Sequence, residues 1–146
     1  MRRKKKNVLL AVAALLAYLF VQQGERFVDN SGGTLSSAAS VEAAFSAKQS
    51  DTQVLGQGVV VKVLPDDRKG LQHQKFILRV SPDQTVLVAH NIDQAPRIPG
   101  LKKGDTVEFY GEYEWTRQGG VVHWTHRSSG GSHVGGWLKK DDTIYQ

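Results

Sequence analysis

The chain of 146 residues has no cysteine, which excludes a disulfide, a thiolate zinc site, a cysteine nucleophile and a lipidated cysteine. It has no G-x-S-x-G, no Walker loop and no H-E-x-x-H, so the nucleophile elbow, the phosphate-cradling loop and the zinc-binding helix of the common hydrolases are all missing. No internal repeat is visible. The chain also lacks the excess of positive charge that its formal +5 suggests. Arg2, Arg3, Lys4, Lys5 and Lys6 are five of its 19 Lys+Arg, so 14 remain against 14 Asp+Glu and everything after residue 6 is formally neutral. A neutral domain has no electrostatic footprint for nucleic acid, and the composition does not support that partner. With 40% hydrophobic residues and three Trp the chain is a folding sequence rather than a disordered polyelectrolyte. Its length fits one domain plus an N-terminal segment.

That segment addresses the chain to a membrane. The basic run leads into Val8 to Val21 (VLLAVAALLAYLFV), fourteen residues without a charge. A positive n-region followed by an apolar h-region is an export signal. Gln22, Gln23, Gly24 and Glu25 offer no small-x-small cleavage site, so the sequence favours an uncleaved signal-anchor over residues 1–23. Fourteen helical residues cover about 21 Å of a hydrocarbon core about 30 Å thick, so a span must recruit Asn7, Gln22 and Gln23 and snorkel its lysines. The positive-inside rule then keeps the N-terminus in the cytoplasm and exports the rest. The expectation is a single-pass inner-membrane protein with a periplasmic domain, or a periplasmic protein if the segment is cleaved.

Residues 24–39 include Asn30, Ser31, Gly32, Gly33 and Thr34 with little apolar periodicity and read as a flexible linker. Residues 40–146 read as the domain. Ser40 can cap a short helix from Val41 to about Lys48, with Val41, Ala44 and Phe45 on one face. From Gln53 the period changes to two. Val54 to Leu64, interrupted by Gly56 and Gly58, reads as a long strand that must bend, and Pro65 to Gly70 as a polar turn. Gln74 to Val80 and Thr85 to Ile92 are two more strands. Thr106 to Trp115 is the clearest, with Val107, Phe109, Tyr113 and Trp115 on one face and Glu108, Tyr110, Glu112 and Glu114 on the other. Gly111 interrupts it where a closing barrel needs a kink. A turn at Gln118, Gly119 and Gly120 leads into a fifth strand, Val121 to Thr125. The fold class expected is mainly β: a small, five-stranded OB-like barrel preceded by a short helix, with a Gly-rich C-terminal tail. The connection from Asp93 to Asp105 contains Pro96 and Pro99 and is a poor helix, so the preceding helix is the candidate plug of the barrel.

VLVAHNIDQAPRIP (Val86 to Pro99), LKKGDTVEFYGEYEW (Leu101 to Trp115), and GGVVHWTH followed by SHVGGW (Gly119 to Trp137) resemble a family of short bacterial proteins known as domain of unknown function 3465, from about Val54 to Gln146. The resemblance also fits the overall size and the exported N-terminus, and it implies no assigned chemistry. The family pattern has an Asp-Pro after the second histidine of HWTH. This chain has Arg127, Ser128 and Ser129 there, so no acidic role carries over.

Three groups of residues are candidates for a site. His123, His126 and His133 are the candidate ligands of a divalent metal, with Asp93 as an oxygen donor, because neutral imidazole is a competent zinc ligand. His123 and His126 stand at i, i+3 and point to opposite faces of a regular strand. Both serve one site only if the strand ends or bulges between them. The alternative is that His126 and His133 bond backbone carbonyls of an irregular C-terminal loop and stabilise it. His90, Asn91 and Asp93, with Arg97, end a strand in a polar loop that binds a ligand or satisfies its own backbone through Asx turns. Asp66, Asp67, Asp93 and Arg97 are the residue types with which some OB-fold nucleases hold a divalent cation and phosphate, but their spacing does not reproduce that nuclease pattern. Trp124 and Trp137 are the aromatic candidates: exposed rings on a barrel wall stack on bases or sugars, whereas Trp137 in a Gly-rich tail anchors that tail instead. Two functions follow. One is a membrane-tethered binding module for an oligosaccharide, peptide or protein, with no cofactor. The other is a divalent-metal-dependent hydrolase or nuclease with a histidine-based site.

Overall fold

The period-two pattern becomes seven strands in the computed structural model, which describes residues 38–146: β1 (Thr52–Asp67), β2 (His73–Ser81), β3 (Gln84–Asn91), β4 (Thr106–Glu114), β5 (Val121–His123), β6 (Trp137–Lys140) and β7 (Thr143–Tyr145). The signal-anchor over residues 1–23 and the linker up to residue 37 lie outside the described residues. Among the described residues no helix is long and apolar enough to cross a membrane. One helix, α1 (Val41–Ser46), precedes the strands. Ser40 caps it as expected, its Oγ accepting from the Ala43 N–H at 3.2 Å. Val41 and Ala44 are buried in the cluster that holds the inner side chains of the sheet, so the helix closes part of the core. Phe45 stacks on Trp115, with ring centroids 6.4 Å apart. Ala39 pairs in parallel with Val54, which joins the chain just before α1 to the sheet.

Five strands form a closed ring in the order β1-β2-β3-β5-β4, and β4 pairs with β1 to complete it. Closure depends on one long strand with two partners. Thr52 to Val59 pairs with β4 and Val59 to Asp67 with β2. The change of partner needs a bend and a close approach, and Gly58 supplies room for it: a Cβ there would lie 2.8 Å from the Arg79 carbonyl oxygen. Two bulges, between Val60 and Lys62 and between Leu64 and Asp67, sharpen the coil of β1. The second also carries Pro65 within the strand, because a bulge relieves that residue of the ladder hydrogen bond proline cannot donate. The turn therefore begins after Asp67, not at Pro65. β3 and β5 pair in parallel through Leu87–Val121 and Val88–Val122.

The core is the inner face of this ring. Phe76, Leu78, Val88, Phe109 and Tyr113 are fully buried, and at about 25 cal/mol per Å² the burial of such side chains is the main favourable term of the fold. The outer face of β4 alternates as the sequence indicates, with one difference. Tyr110 is 7% exposed because β6 pairs with the first half of β4 and lays Trp137 over it, ring centroids 6.2 Å apart. β5 occupies the second half of the same β4 edge, so residues 124–136 leave that edge and return to it. Gly136 makes the return: it donates to the His126 carbonyl at 2.8 Å, and a side chain there would collide with the carbonyls of Trp124 and Tyr110. The Gly-rich tail thus ends in a hairpin, β6–β7, whose four- and three-residue strands give no readable period.

Trp137 anchors that hairpin together with fully buried Leu138. Trp137 is only half-buried, so Trp137→Ala is expected to cost about 2 kcal/mol, below the range for fully buried aromatics. Amide exchange checks the location of the loss. Protection should fall across β6 and β7 and persist in β1 to β3; unchanged protection in β6 would show that Leu138 holds the hairpin alone.

Candidate functional site

β5 ends at His123, and the next residue, Trp124, adopts φ 52°, a left-handed backbone that bulky residues rarely take. Such strain persists only where surrounding structure imposes it, and it is concentrated at binding and catalytic sites. Here it breaks the strand alternation, so His123 and His126 reach the same cavity. The cavity measures about 130 Å³ and is lined by Leu71, His73, Ala89, Asn91, His123, Trp124 and His126. His73 faces Asn91 across the β2–β3 ladder, and Ala89 follows on the same outer face. Leu71, 56% exposed, overhangs from the β1–β2 loop.

Imidazoles surround the Trp124 indole. Its centroid lies 4.1 Å from that of His133, 5.6 Å from His126 and 5.7 Å from His123. His126 and His133 meet edge to face at 5.0 Å. Their Nδ1–H groups donate to the carbonyls of Arg127 (2.9 Å) and Val134 (2.7 Å). A ring that donates through Nδ1 keeps a free lone pair on Nε2 when neutral. His133 also donates its backbone N–H toward Ser128 Oγ, at 3.5 Å, which closes the loop between the two histidines.

His123 is placed differently from the other two. Its Nε2 lies 3.6 Å from Glu112 Oε1 and 3.7 Å from Glu114 Oε1 and makes no hydrogen bond. Of the three histidines singled out in the sequence, the structure therefore brings His126 and His133 together and directs His123 to two carboxylates on β4.

The loop after β3 is held by its own polar groups. His90 is fully buried on the inner side of β3. Its Nε2 lies 3.0 Å from the Pro96 carbonyl and must donate to it, which leaves Nδ1 to accept from the Thr125 hydroxyl at 2.8 Å. Burial pushes its pKa down from 6.5 to about 4, aided by the nearby His126 and His73, so the ring is neutral near pH 7. Asn91 Oδ1 accepts from the Asp93 N–H at 3.0 Å, an Asx turn, and Asp93 Oδ2 accepts from the Gln72 N–H at 2.7 Å. Arg97 Nη2 donates to both oxygens of Asp66 at 3.0 Å, an exposed pair that contributes about 1 kcal/mol at most. Gln74 clamps Ile98 from both sides, donating to its carbonyl and accepting from its N–H. Of this group only Asn91 lines the cavity. Trp124 lines it too, while Trp137 lies on Tyr110.

Leu71, His73, Glu112 and Glu114 are the site residues that the sequence does not single out. The two glutamates were legible as an outward pair on β4. Their meeting with His123 depends on the β4–β5 register, Glu112 opposite His123, which no local pattern encodes.

The sequence of this domain matches a known family. A family model described as Protein of unknown function (DUF3465) matches residues 29–146. The chain belongs to this family. The match covers every described residue, so ring, hairpin and cavity all fall inside the DUF3465 domain. No curated protein matches the sequence.

Proposed function

We propose that this DUF3465 protein is an exported, membrane-tethered binding module with an OB-like barrel, and that its ligand seats one ring in the cavity beside Trp124. The observation that carries the reading is the position of the cavity. A ring ordered β1-β2-β3-β5-β4, with β3 and β5 parallel and β1 shared between β2 and β4, has the strand arrangement of the OB-fold. OB-folds take oligonucleotides and oligosaccharides on the outer face of strands 2 and 3 and on the loops beside it. The cavity lies on that face, under the β1–β2 loop.

An oligosaccharide fits the lining better than a nucleic acid. Trp124 offers an indole, Leu71 and Ala89 apolar contact, and Asn91 and the imidazoles hydrogen-bonding groups, while Glu112 and Glu114 beside His123 repel phosphate. At about 130 Å³ the cavity is smaller than a drug-sized pocket, so it grips one unit of a longer chain. Tryptophan fluorescence tests this. Neutral oligosaccharides titrated into the full chain are expected to shift the emission, and the shift should vanish in Trp124→Phe. A response to single-stranded DNA or to peptides in place of sugars would reject the oligosaccharide reading, and no response to any of the three would reject the cavity as a binding site.

A further inference from the structure

We infer that Glu112, Glu114 and His123 form a divalent transition-metal site on the outer wall of the ring, at the edge of the cavity. Strand period two puts the two glutamates on one face of β4, and the β4–β5 register sets His123 directly opposite Glu112. One ligand atom from each of the three lies within 4.8 Å of the other two. The Nε2 to carboxylate distances, 3.6 and 3.7 Å, exceed a hydrogen bond. They are slightly wider than the separation of about 3.4 Å between donors that share one tetrahedral ion at about 2.1 Å, so small rotations of the glutamate side chains complete the coordination.

Two independent features point to a cation at this place. His123 Nε2 is withdrawn from solvent and has no hydrogen-bond partner, an arrangement that carries a cost unless something occupies its lone pair or its proton. The charge on this face is also unevenly compensated. Glu108, on the same face of β4, is paired with Lys139 at 3.2 Å. Glu112 and Glu114 have no Lys or Arg partner among the described residues, and His123 is the basic group between them. Two carboxylates and one imidazole suit Zn²⁺, Mn²⁺ or Co²⁺; Mg²⁺ and Ca²⁺ prefer oxygen alone. Three protein ligands leave a coordination position open, and His123 also lines the cavity, so that position adjoins it.

The competing account is a protonated His123 bridging the two carboxylates with no metal. Calorimetry on the full chain in detergent, after treatment with a chelator and dialysis, decides between them with the metal alone as the probe. Zn²⁺ or Co²⁺ is expected to bind at about one equivalent per chain. Co²⁺ should also quench the fluorescence of Trp124, whose ring lies 5.7 Å from that of His123. Glu114→Gln and His123→Gln should each weaken binding by about tenfold or more, while Glu108→Gln leaves it unchanged. All three positions face outward and are partly exposed, so the variants keep the fold, which far-UV circular dichroism verifies. Absence of saturable binding below about 100 μM would overturn the inference. So would binding that survives Glu112→Gln combined with Glu114→Gln, or that is lost in His133→Gln but kept in Glu114→Gln, which would place the ion on His126 and His133. Sugar binding is read in separate titrations without metal, so the two proposals fail separately.

Discussion

Gly120→Ala is expected to remove about 4 kcal/mol or more of stability. Gly120 has φ 92°, and a Cβ built on it collides with the hydroxyl edge of the Tyr113 ring. The left-handed backbone alone costs a residue with a Cβ about 1–2 kcal/mol. The collision adds an overpacking cost of about 1–3 kcal/mol or more, because Tyr113 is fully buried and cannot turn aside without breaking the bond its hydroxyl donates to the Gly119 carbonyl at 3.0 Å. The damage also spreads to β5. Gly120 accepts from Leu87 N–H at 3.0 Å, next to the short parallel pairing that closes the ring. Against a total of about 5–15 kcal/mol for a domain, such a loss lowers the melting temperature by about 15–20 °C or prevents folding. Thermal melts of the matched segment, residues 29–146, measure it. Gly130→Ala is the control, since a Cβ there meets nothing within 4 Å, and it should change stability by no more than about 0.5 kcal/mol. A Gly120→Ala variant that melts within a few degrees of the parent would show that this turn rearranges freely.

The second large effect belongs to His90 and appears as a dependence on pH. The unfolded chain protonates this imidazole near 6.5, the folded chain only near 4. The unfolded state therefore binds the extra proton throughout that window, so stability is complete above pH 6.5 and is lost as pH falls toward 4. A shift of that size corresponds to about 3 kcal/mol in all, of which about 2 kcal/mol is lost between pH 7.5 and pH 5, before most carboxylates titrate. Urea unfolding of residues 29–146 at those two pH values should show this loss, and His90→Gln should reduce it. His90→Ala should be severe at neutral pH, about 3–5 kcal/mol, because it opens a cavity and leaves the buried Thr125 hydroxyl and the Pro96 carbonyl without partners. Equal pH slopes in the parent and in His90→Gln would mean that other groups carry the acid sensitivity.

Both effects turn on residues that looked ordinary in the sequence. Gly120 reads as a turn glycine, and so do Gly130 and Gly131; the structure separates them, because Tyr113 lies against the first and open space against the others, and Gly130 lacks the positive φ of Gly120. His90 reads as the start of a polar ligand loop, but the alternation of β3 sends it inward after Val86 and Val88. That inward direction follows from period two alone. What local pattern does not show is that Thr125 and Pro96, remote in sequence or beyond a turn, stand ready on either side of the ring.

The sequence by itself determined the features that depend on neighbours within a few positions. These are the capped helix at Ser40, the inward and outward faces of β4 and the bend of β1 at its glycines; the fifth strand, expected to run to Thr125, instead ends at His123. The tertiary structure decided which strands lie side by side and in what register. The β4–β5 register sets Glu112 opposite His123, the β4–β6 pairing lays the tail hairpin over Tyr110, and Trp124 takes a left-handed conformation with the histidines around it. A strand's own sequence specifies its faces because side chains alternate every residue. Its partner and register are chosen by the packing of the whole core and by the turns that join the strands, a sum over residues far apart in the chain.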